Sequence, residues 1–145
     1  MSLIIKTFAY GSPEYEASVK LRYKILRVPL GLTFSAEDLK KDEYDIHFGL
    51  FENDIIEACL ILTPGENGRI KMRQVAVDDA RQGRGLGKKL SMAAENYAKE
   101  NGYSIIHCNA RKTAAPFYQK MGYQITGGEF TEVGIPHYAM EKKLE

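Results

Sequence analysis

Apolar residues in the first thirty positions recur with two different periods. Leu3 to Phe8 is a short apolar run that suits a strand. Ser12 then provides a helix cap ahead of a proline and an acidic residue. The apolar positions that follow return every three to four residues, at Tyr15, Val19, Tyr23 and Leu26. The pattern predicts one strand and one helix that buries this face and ends before Pro29.

Strand signals dominate the middle of the chain, after a short capped helix. The apolar runs Ile46 to Phe51 and Ile55 to Thr63 are separated by a polar turn, which indicates a hairpin. A second turn leads into the apolar run Ile70 to Val77. The alternation of this run breaks near Arg73 and Gln74, so we expect a bulge there.

Helical spacing returns at Leu86 and continues to Asn101-Gly102, where the glycine is a typical helix stop. The remaining predicted elements are a strand over Ser104 to Asn109, a helix from a Thr113 cap through Met121, and short strands at Tyr123 to Ile125 and Tyr138 to Met140. This order of elements predicts a mixed sheet with helices on both faces, in the α/β (α+β) class.

Composition narrows the classes of protein. At 145 residues and 44% hydrophobic content the chain supports one packed core, so we expect a single domain over residues 1–145. The net charge of +1 gives no reason to expect nucleic acid as a partner. No apolar run is long enough to cross a membrane and the first residues lack a secretion signal, so we expect a cytoplasmic protein. Cys59 and Cys108 are isolated in sequence, which favours buried thiols over a disulfide or a metal site.

The segment Arg81 to Leu90 (RQGRGLGKKL) places glycines at alternate positions among cations at the start of the long helix. Bare backbone N–H groups at the positive end of a helix bind anions, most naturally a phosphate. Arg81, Arg84 and Lys88 would add charge-assisted contacts. The dinucleotide fingerprint would need glycine at position 88, and the triphosphate loop would need glycine at position 82. The segment therefore predicts a different phosphate cradle, with a plain glycine-rich connection as the alternative.

Two segments resemble the signatures of the GNAT superfamily of N-acetyltransferases. Val75 to Leu90 (VAVDDARQGRGLGKKL) resembles the acetyl-CoA-binding motif of the superfamily. Ala114 to Tyr123 (AAPFYQKMGY) resembles its second signature, A-x-x-F/L-Y-x-x-x-G-F/Y. Leu21-Arg22 and the ending Ile135 to Lys143 are similar to the small bacterial subgroup related to ElaA and YjcF. The resemblance covers nearly the whole chain and implies a mostly antiparallel sheet of about seven strands.

The resemblance also implies a function. It indicates an enzyme that transfers an acetyl group from acetyl-CoA to a primary amine of a small molecule or peptide, by direct attack in a ternary complex and without a metal. Tyr118 stands at the tyrosine of the second signature and is the implied general acid, because a phenol stays protonated at neutral pH. A core aromatic is the alternative for Tyr118. The implied cofactor contacts are Val75, Ala76 and Val77 for the pantetheine arm, and Gln82, Gly83, Arg84, Gly85, Leu86, Gly87 and Lys88 for the pyrophosphate.

Other implied roles leave alternatives open. His137 is the expected general base, and a structural histidine fits its sequence context almost equally well. Many GNAT members carry asparagine at the position of Arg111, so Asn109 is the expected substitute for contacting the pantetheine arm. Arg111 and Lys112 would instead contact the 3′-phosphate of the cofactor.

The remaining histidines and the acceptor are less determined. His107 is expected to be half-buried and cannot form a dyad with Cys108, because neighbouring strand residues face opposite sides. His47 follows an acidic run that suggests a solvated loop more than a metal site. Arg22, Glu43 and Glu132 are compatible with an amine, a peptide amino group or an amino acid as acceptor. A non-catalytic acyl-CoA-binding sensor or interaction module is the alternative function, and a homodimer is left open.

Overall fold

The computed structural model describes residues 3–145 as short strands and helices joined by turns. The strands are β1 (Leu3–Phe8), β2 (Ile46–Glu52), β3 (Ile55–Pro64), β4 (Arg69–Val77), β5 (Ile105–Arg111), β6 (Gln124–Ile125), β7 (Phe130–Glu132) and β8 (Ile135–Lys143). The α-helices are α1 (Pro13–Arg22), α2 (Ala36–Lys40), α3 (Leu86–Glu100) and α4 (Ala115–Lys120). A π-helical turn covers Tyr23–Arg27, and 3-10 turns cover Val28–Leu30, Asp79–Arg81 and Lys112–Ala114.

The strands within residues 3–145 form one mixed sheet in the order β1-β2-β3-β4-β5-β8-β6, with β7 paired to β8. The pairs β1–β2, β2–β3, β5–β8, β6–β8 and β7–β8 are antiparallel, and β4 pairs with β5 in parallel over Arg69–Lys71 and Ile105–His107. The predicted fold class is therefore confirmed, with an eight-stranded sheet in place of about seven strands. The unpredicted strand is β7, which forms a hairpin with β8 through the left-handed residues Val133 and Gly134.

The described chain divides into two compact units. The first unit contains the chain up to Thr63 and the segment Arg73–Ala94. In it, β1, β2 and β3 are consecutive antiparallel neighbours, and the predicted β2–β3 hairpin turns at Asn53 and Asp54, which have φ values of 52° and 64°. Part of its core is a cluster of Leu21, Cys59 and Ala76, with Ile25, Leu26 and Ile56 packed against it.

The second unit contains Pro64–Met72 and Glu95–Glu145. Its central pair is β5 with β8, whose register runs from Ile105 opposite Lys143 to Arg111 opposite His137. The side chains of Ile106, Cys108 and Ala110 alternate into the core along β5, as a half-buried strand requires. A buried polar contact joins Tyr123, whose hydroxyl donates to Glu95 over 2.9 Å, to Lys142, which donates to the same carboxylate over 2.8 Å.

The predicted buried face of the first helix is partly wrong. Tyr15 is buried, but Tyr23 is 42% exposed and Val19 is only half-buried. The buried positions of α1 are instead Tyr15, Ser18, Leu21 and Arg22. The α-helix ends at Arg22 and widens into a π-helical turn, so the apolar spacing beyond it no longer marks one face.

Two other boundaries differ from the sequence prediction. Thr113 does not cap α4, because it lies inside a 3-10 turn and Ala114 is the residue that precedes the helix. The last strand is longer than Tyr138 to Met140, since its pairing with β5 and β7 extends it from Ile135 to Lys143. The predicted stop of α3 is confirmed by Gly102, which has a φ of 87°.

Candidate active site

In the first unit, the glycine-rich segment forms an exposed loop that enters α3. Gly83 and Gly85 have φ values of 85° and 75°, and a Cβ atom at either position would meet nothing within 4 Å. The helix begins when Gly85 accepts a 3.0 Å hydrogen bond from the N–H of Lys89. Within residues 3–145, no acceptor takes the N–H groups of Gly85 through Lys88, as expected for the first turn of a helix. Four backbone N–H groups are therefore open at the N-terminus of the 15-residue helix α3. The space that a side chain at Gly83 or Gly85 would fill is empty.

The cations of this loop divide into two kinds. Arg84 and Lys88 are exposed, and neither has an ion-pair partner among the residues that the structure describes. Arg81 instead pairs with two buried carboxylates, those of Glu52 at 3.2 Å and Glu57 at 3.3 Å. The guanidinium of Arg81 is therefore already engaged, and its contact with a phosphate stays a prediction. Arg81 anchors the loop, and two free positive charges remain beside the open N–H groups.

The other predicted cofactor residues of this unit differ in which atoms they offer. Ala76 and Leu86 are buried, so only their backbone groups are available to a ligand. Val75 and Val77 are half-buried in β4. The side-chain amide of Gln82 donates to the carbonyl of Val77 over 3.1 Å, which ties the loop back to the end of β4.

The middle of β4 departs from an extended strand at Gln74. This residue has a φ of 54°, in the left-handed region where a non-glycine residue is uncommon. Its side-chain oxygen accepts a 3.3 Å hydrogen bond from Nε of Arg22. This left-handed residue lies where the sequence predicts a bulge, and the bulge itself stays a prediction.

Arg22 belongs to a buried charged cluster centred on Asp42, whose side chain is fully buried. One carboxylate oxygen of Asp42 accepts from Arg22 over 2.7 Å and from the Tyr15 hydroxyl over 2.8 Å. The other oxygen accepts from Arg73 over 2.8 Å, and Arg73 also pairs with Asp45 at 2.7 Å. Two guanidiniums thus face two carboxylates, so the buried charges balance.

The titration behaviour of this cluster follows from its contacts. Burial alone would raise the pKa of Asp42, but the hydrogen bond and charge of Arg22, with Arg73 and Tyr15, hold it below its ordinary value of 3.8. Burial raises the pKa of the Tyr15 hydroxyl, and its bond to Asp42 adds to the shift. Asp42 is therefore an anion and Tyr15 a neutral donor over the physiological pH range.

Arg22 and His47 lie where the sequence did not place them. Arg22 is 2% exposed and paired, so it is not a surface group that could select an acceptor. His47 is buried and its Nε2 lies 2.9 Å from the carbonyl oxygen of Asp42, so the prediction of a solvated loop is wrong. Burial lowers the pKa of His47 below its ordinary value of 6.5. Within residues 3–145, no group of three or more His, Cys, Asp or Glu side chains is arranged to hold a metal ion.

In the second unit, Tyr118 lies on α4 with its side chain 7% exposed. Its ring makes edge contacts with Phe117 and Tyr123, at centroid distances of 5.1 and 5.5 Å. No residue in 3–145 forms a hydrogen bond with its hydroxyl, in contrast to the hydroxyl of Tyr123. Burial, with the neighbouring Cys108, raises the pKa of Tyr118 above its ordinary value of 10.0. The phenol is therefore protonated at neutral pH and holds an uncommitted proton.

Glu132 brings Asn109 and His137 together. Asn109 donates its side-chain amide to Glu132 over 3.4 Å, and Nε2 of His137 lies 3.6 Å from the other carboxylate oxygen. Nδ1 of His137 lies 2.8 Å from the carbonyl of Ile135, so that nitrogen carries the proton in the neutral ring. Nε2 is then the nitrogen without a proton, and it faces the carboxylate of Glu132.

The other residues considered from sequence have simpler environments. His107 is half-buried as predicted, and its pKa lies below 6.5 because of burial and the charges of Arg69 and Lys71. Lys112 pairs with Glu129 at 2.8 Å on the surface. Both cysteines are free and buried, as predicted. The sequence did not predict the buried ion pair of Asp42 with Arg73. Its only signal was that two charged residues lie beside apolar strands.

Comparison with known proteins decides the family. The sequence model described as the acetyltransferase (GNAT) domain matches residues 35–144. The chain belongs to the GNAT acetyltransferase family. The superfamily predicted from the two signatures is thereby confirmed, and the family's activity is acetyl transfer.

Individual proteins resemble this chain over different lengths. The Bacillus subtilis protein YyaT is 45% identical over 60 residues, which are 41% of this chain and 40% of that protein, so the match spans less than half of this relative. A crystal structure from Lactobacillus plantarum is 26% identical over 100% of both chains, with a TM-score of 0.91.

Two solved GNAT structures share the fold at lower identity. Escherichia coli ElaA is 18% identical over 97% of this chain and 99% of its own, with a TM-score of 0.82. A GNAT family acetyltransferase from Elizabethkingia anophelis, solved with acetyl-CoA bound, is 19% identical over 98% of each chain, with a TM-score of 0.76. None of the helices within residues 3–145 combines the length and the apolar character needed to cross a membrane.

Proposed function

We propose that this chain transfers the acetyl group of acetyl-CoA to a primary amine by direct attack in a ternary complex. The observation that carries the proposal is the set of open N–H groups of Gly85 through Lys88 at the start of α3. A helix N-terminus with unobstructed donors binds a diphosphate, and Arg84 and Lys88 add charge next to it. The open space above Gly83 and Gly85 fits a ligand that approaches the backbone closely.

The rest of β4 would hold the pantetheine arm. Val75, Ala76 and Val77 offer backbone groups for pairing with an extended ligand, in the manner of an added strand. Asn109, Gln82 and the backbone of Leu86 complete the proposed cofactor contacts. Acetyl-CoA supplies an activated thioester, and no metal is needed for its attack by an amine.

Two groups would handle the protons. Tyr118 donates to the departing thiolate, since its hydroxyl is protonated and uncommitted. His137 takes the proton of the attacking amine through Nε2, because Nδ1 is held by the carbonyl of Ile135. Glu132 lies beside Nε2, at 3.6 Å. The acceptor is a primary amine of a small molecule or a peptide.

The test combines binding with turnover. Acetyl-CoA binding is measured by calorimetry, and thiol release is measured with polyamines, amino acids and lysine-containing peptides as acceptors. Tyr118→Phe should keep the acetyl-CoA affinity and lose about 100-fold or more in kcat, the range of general acid catalysis. Tyr123→Phe is the matched control, because it removes a buried hydroxyl bonded to Glu95 and should lower stability without changing kcat.

Two outcomes would contradict the proposal. Absence of saturable acetyl-CoA binding would exclude the cradle as a cofactor site. Tight binding with no turnover on any acceptor, and no difference for Tyr118→Phe, would favour the non-catalytic acyl-CoA sensor.

His137→Gln tests the base separately. It should lower kcat near neutral pH, and the loss should shrink as the pH rises, because more of an amine of pKa about 10.4 is then already neutral. A loss that is the same at every pH would indicate a purely structural role.

A further inference from the structure

The feature that needs explanation is the strained residue Gln74. A left-handed conformation costs energy at any residue that has a Cβ atom, and it persists only where the surroundings enforce it. No glycine or asparagine relieves the cost at this position, which lies in the middle of a nine-residue strand. Something in the first unit must therefore hold it.

The cluster around Asp42 provides that restraint. Adjacent side chains of a regular strand point to opposite faces of the sheet. Here Arg73 binds Asp42 directly, and Gln74 binds Arg22, which itself binds Asp42. Two consecutive side chains are thus tied to one carboxylate, and an extended backbone could not direct both toward it. The left-handed turn at Gln74 is what allows both contacts.

The turn has a consequence for the next peptide unit. A left-handed residue rotates the peptide that follows it away from the direction of a regular strand. The group affected is the N–H of Val75, which in the proposed reaction would donate to the negative charge that develops on the thioester oxygen. A donor of this kind stabilises a transition state only when its direction is fixed in advance.

We propose that Arg22 is a positioning residue for catalysis: held by Asp42, it keeps Gln74 in the left-handed conformation that orients the N–H of Val75. The inference rests on the proposed acetyl transfer and goes beyond it, because it gives a buried ion pair on α1 a role in the rate of reaction. Arg22 does not contact substrate and acts only through Gln74.

The test compares two substitutions of Gln74 that both remove the contact with Arg22. Gln74→Gly adopts a positive φ without cost and should retain clearly more of the wild-type kcat than Gln74→Leu does. Gln74→Leu keeps the Cβ atom and loses the restraint, so its backbone should relax toward an extended strand. Since loss of one such donor lowers kcat by roughly 100-fold or more, Gln74→Leu should lose at least about 10-fold in kcat with little change in acetyl-CoA affinity.

Arg22→Lys extends the test to the proposed positioning residue. A lysine can pair with Asp42 but cannot also reach Gln74 from a second nitrogen. It should lower kcat in the wild-type background and have little further effect in the Gln74→Gly background, where residue 74 has no side chain for Arg22 to hold. If Arg22→Lys does not fold, the two Gln74 variants still decide.

Equal losses of kcat in Gln74→Gly and Gln74→Leu would overturn the proposal. They would indicate that the side-chain amide of Gln74 contacts the substrate directly. If the wild-type protein transfers acetyl to no amine, the proposed function fails while the conformational step stays measurable. In that case crystal structures of both variants decide: a left-handed residue 74 in Gln74→Leu would overturn the positioning role, and its relaxation in that variant alone would support it.

Discussion

At the scale of single residues, burial and pairing give the chain its chemistry more than residue type does. Tyr118 and Tyr123 are both buried tyrosines on either side of a helix end, yet only the second hydroxyl is bonded to a carboxylate. Arg81 and Arg84 are three positions apart, and only the first is bound to carboxylates. These differences separate groups that are free to act on a ligand from groups that hold the fold.

Asp42 is the residue on which the first unit depends most. Removing its charge leaves Arg22 without its ion-pair partner while Arg73 keeps Asp45, and one uncompensated buried charge typically costs about 3–5 kcal/mol. We expect Asp42→Asn to lower the free energy of unfolding in urea by that amount. Glu43→Gln is the matched control, since Glu43 is exposed and should change stability by less than about 0.5 kcal/mol. Equal effects of the two substitutions would show that the buried pair is not important.

The two cysteines should be unreactive in the folded protein. Burial raises the pKa of Cys59 and of Cys108 to about 12, so neither thiol ionises near neutral pH. We expect a disulfide reagent such as DTNB at pH 8 to label both only as fast as the protein unfolds. The coenzyme A thiol can then be followed with the same reagent. Rapid labelling of native protein would contradict the described burial.

Single residues also show where sequence reasoning reaches its limit. Tyr118, the glycines and the cations of the cradle are recognisable because their motif is local in sequence. The partner of Arg22 lies twenty positions away at Asp42, and no periodicity relates them. In the sequence, Arg22 therefore only interrupts the apolar face of the first helix. Nothing there indicates that it restrains Gln74 in β4.

At the scale of elements, the first turn of α3 combines two functions in one segment. It ends the connection from β4, and its free N–H groups form the proposed diphosphate site. Left-handed glycines make both functions compatible, because they bring the backbone around without placing side chains over the donors.

A pair of glycine substitutions separates the two functions. Gly85→Ala and Gly127→Ala both place a Cβ on a left-handed residue with nothing within 4 Å, at φ values of 75° and 88°. Each should cost about 1–2 kcal/mol of stability through backbone strain. Only Gly85→Ala should weaken acetyl-CoA binding in calorimetry. An equal effect of both on affinity would mean that binding reports general stability and not the cradle.

The sequence predicted those elements correctly whose periodic apolar residues are bounded by clear turn or helix-end residues. The start and end of α3 follow from its glycines, and the β2–β3 hairpin follows from its polar turn. The π-helical turn at Tyr23–Arg27 and the short strand β7 were not predicted. Pairing with β8 fixes β7, which is a tertiary contact, and the π-helical turn directly follows the buried Arg22.

At the scale of the whole molecule, stability depends on pH because two histidines are buried in a way that favours their neutral form. The pKa values of His47 and His107 lie below the ordinary value of 6.5, in both cases mainly because of burial. The unfolded chain therefore binds protons that the folded chain does not. Stability should be constant above pH 6.5 and fall as the pH decreases below it, by up to about 1.4 kcal/mol per pH unit for each histidine.

Urea unfolding between pH 5 and 8 checks this expectation. His47→Gln keeps a donor for the carbonyl of Asp42 and should reduce the slope below pH 6.5. The pKa of Asp42 is lowered, so its contribution should be fully present above the ordinary value of 3.8 and be lost as the pH falls below it, which separates the two effects. A slope unchanged in His47→Gln would assign the effect to His107. A slope absent in the wild type would contradict both.

The exposed strand β1 has a consequence for how the protein behaves in concentrated solution. It lies at the end of the strand order, and Leu3, Ile4 and Ile5 are each at least 39% exposed. An open strand edge of this composition is a template on which a second chain can add, and Lys6 is the one charge within the strand that opposes such growth. Resistance to aggregation thus depends on a gatekeeper lysine that has no part in the proposed chemistry.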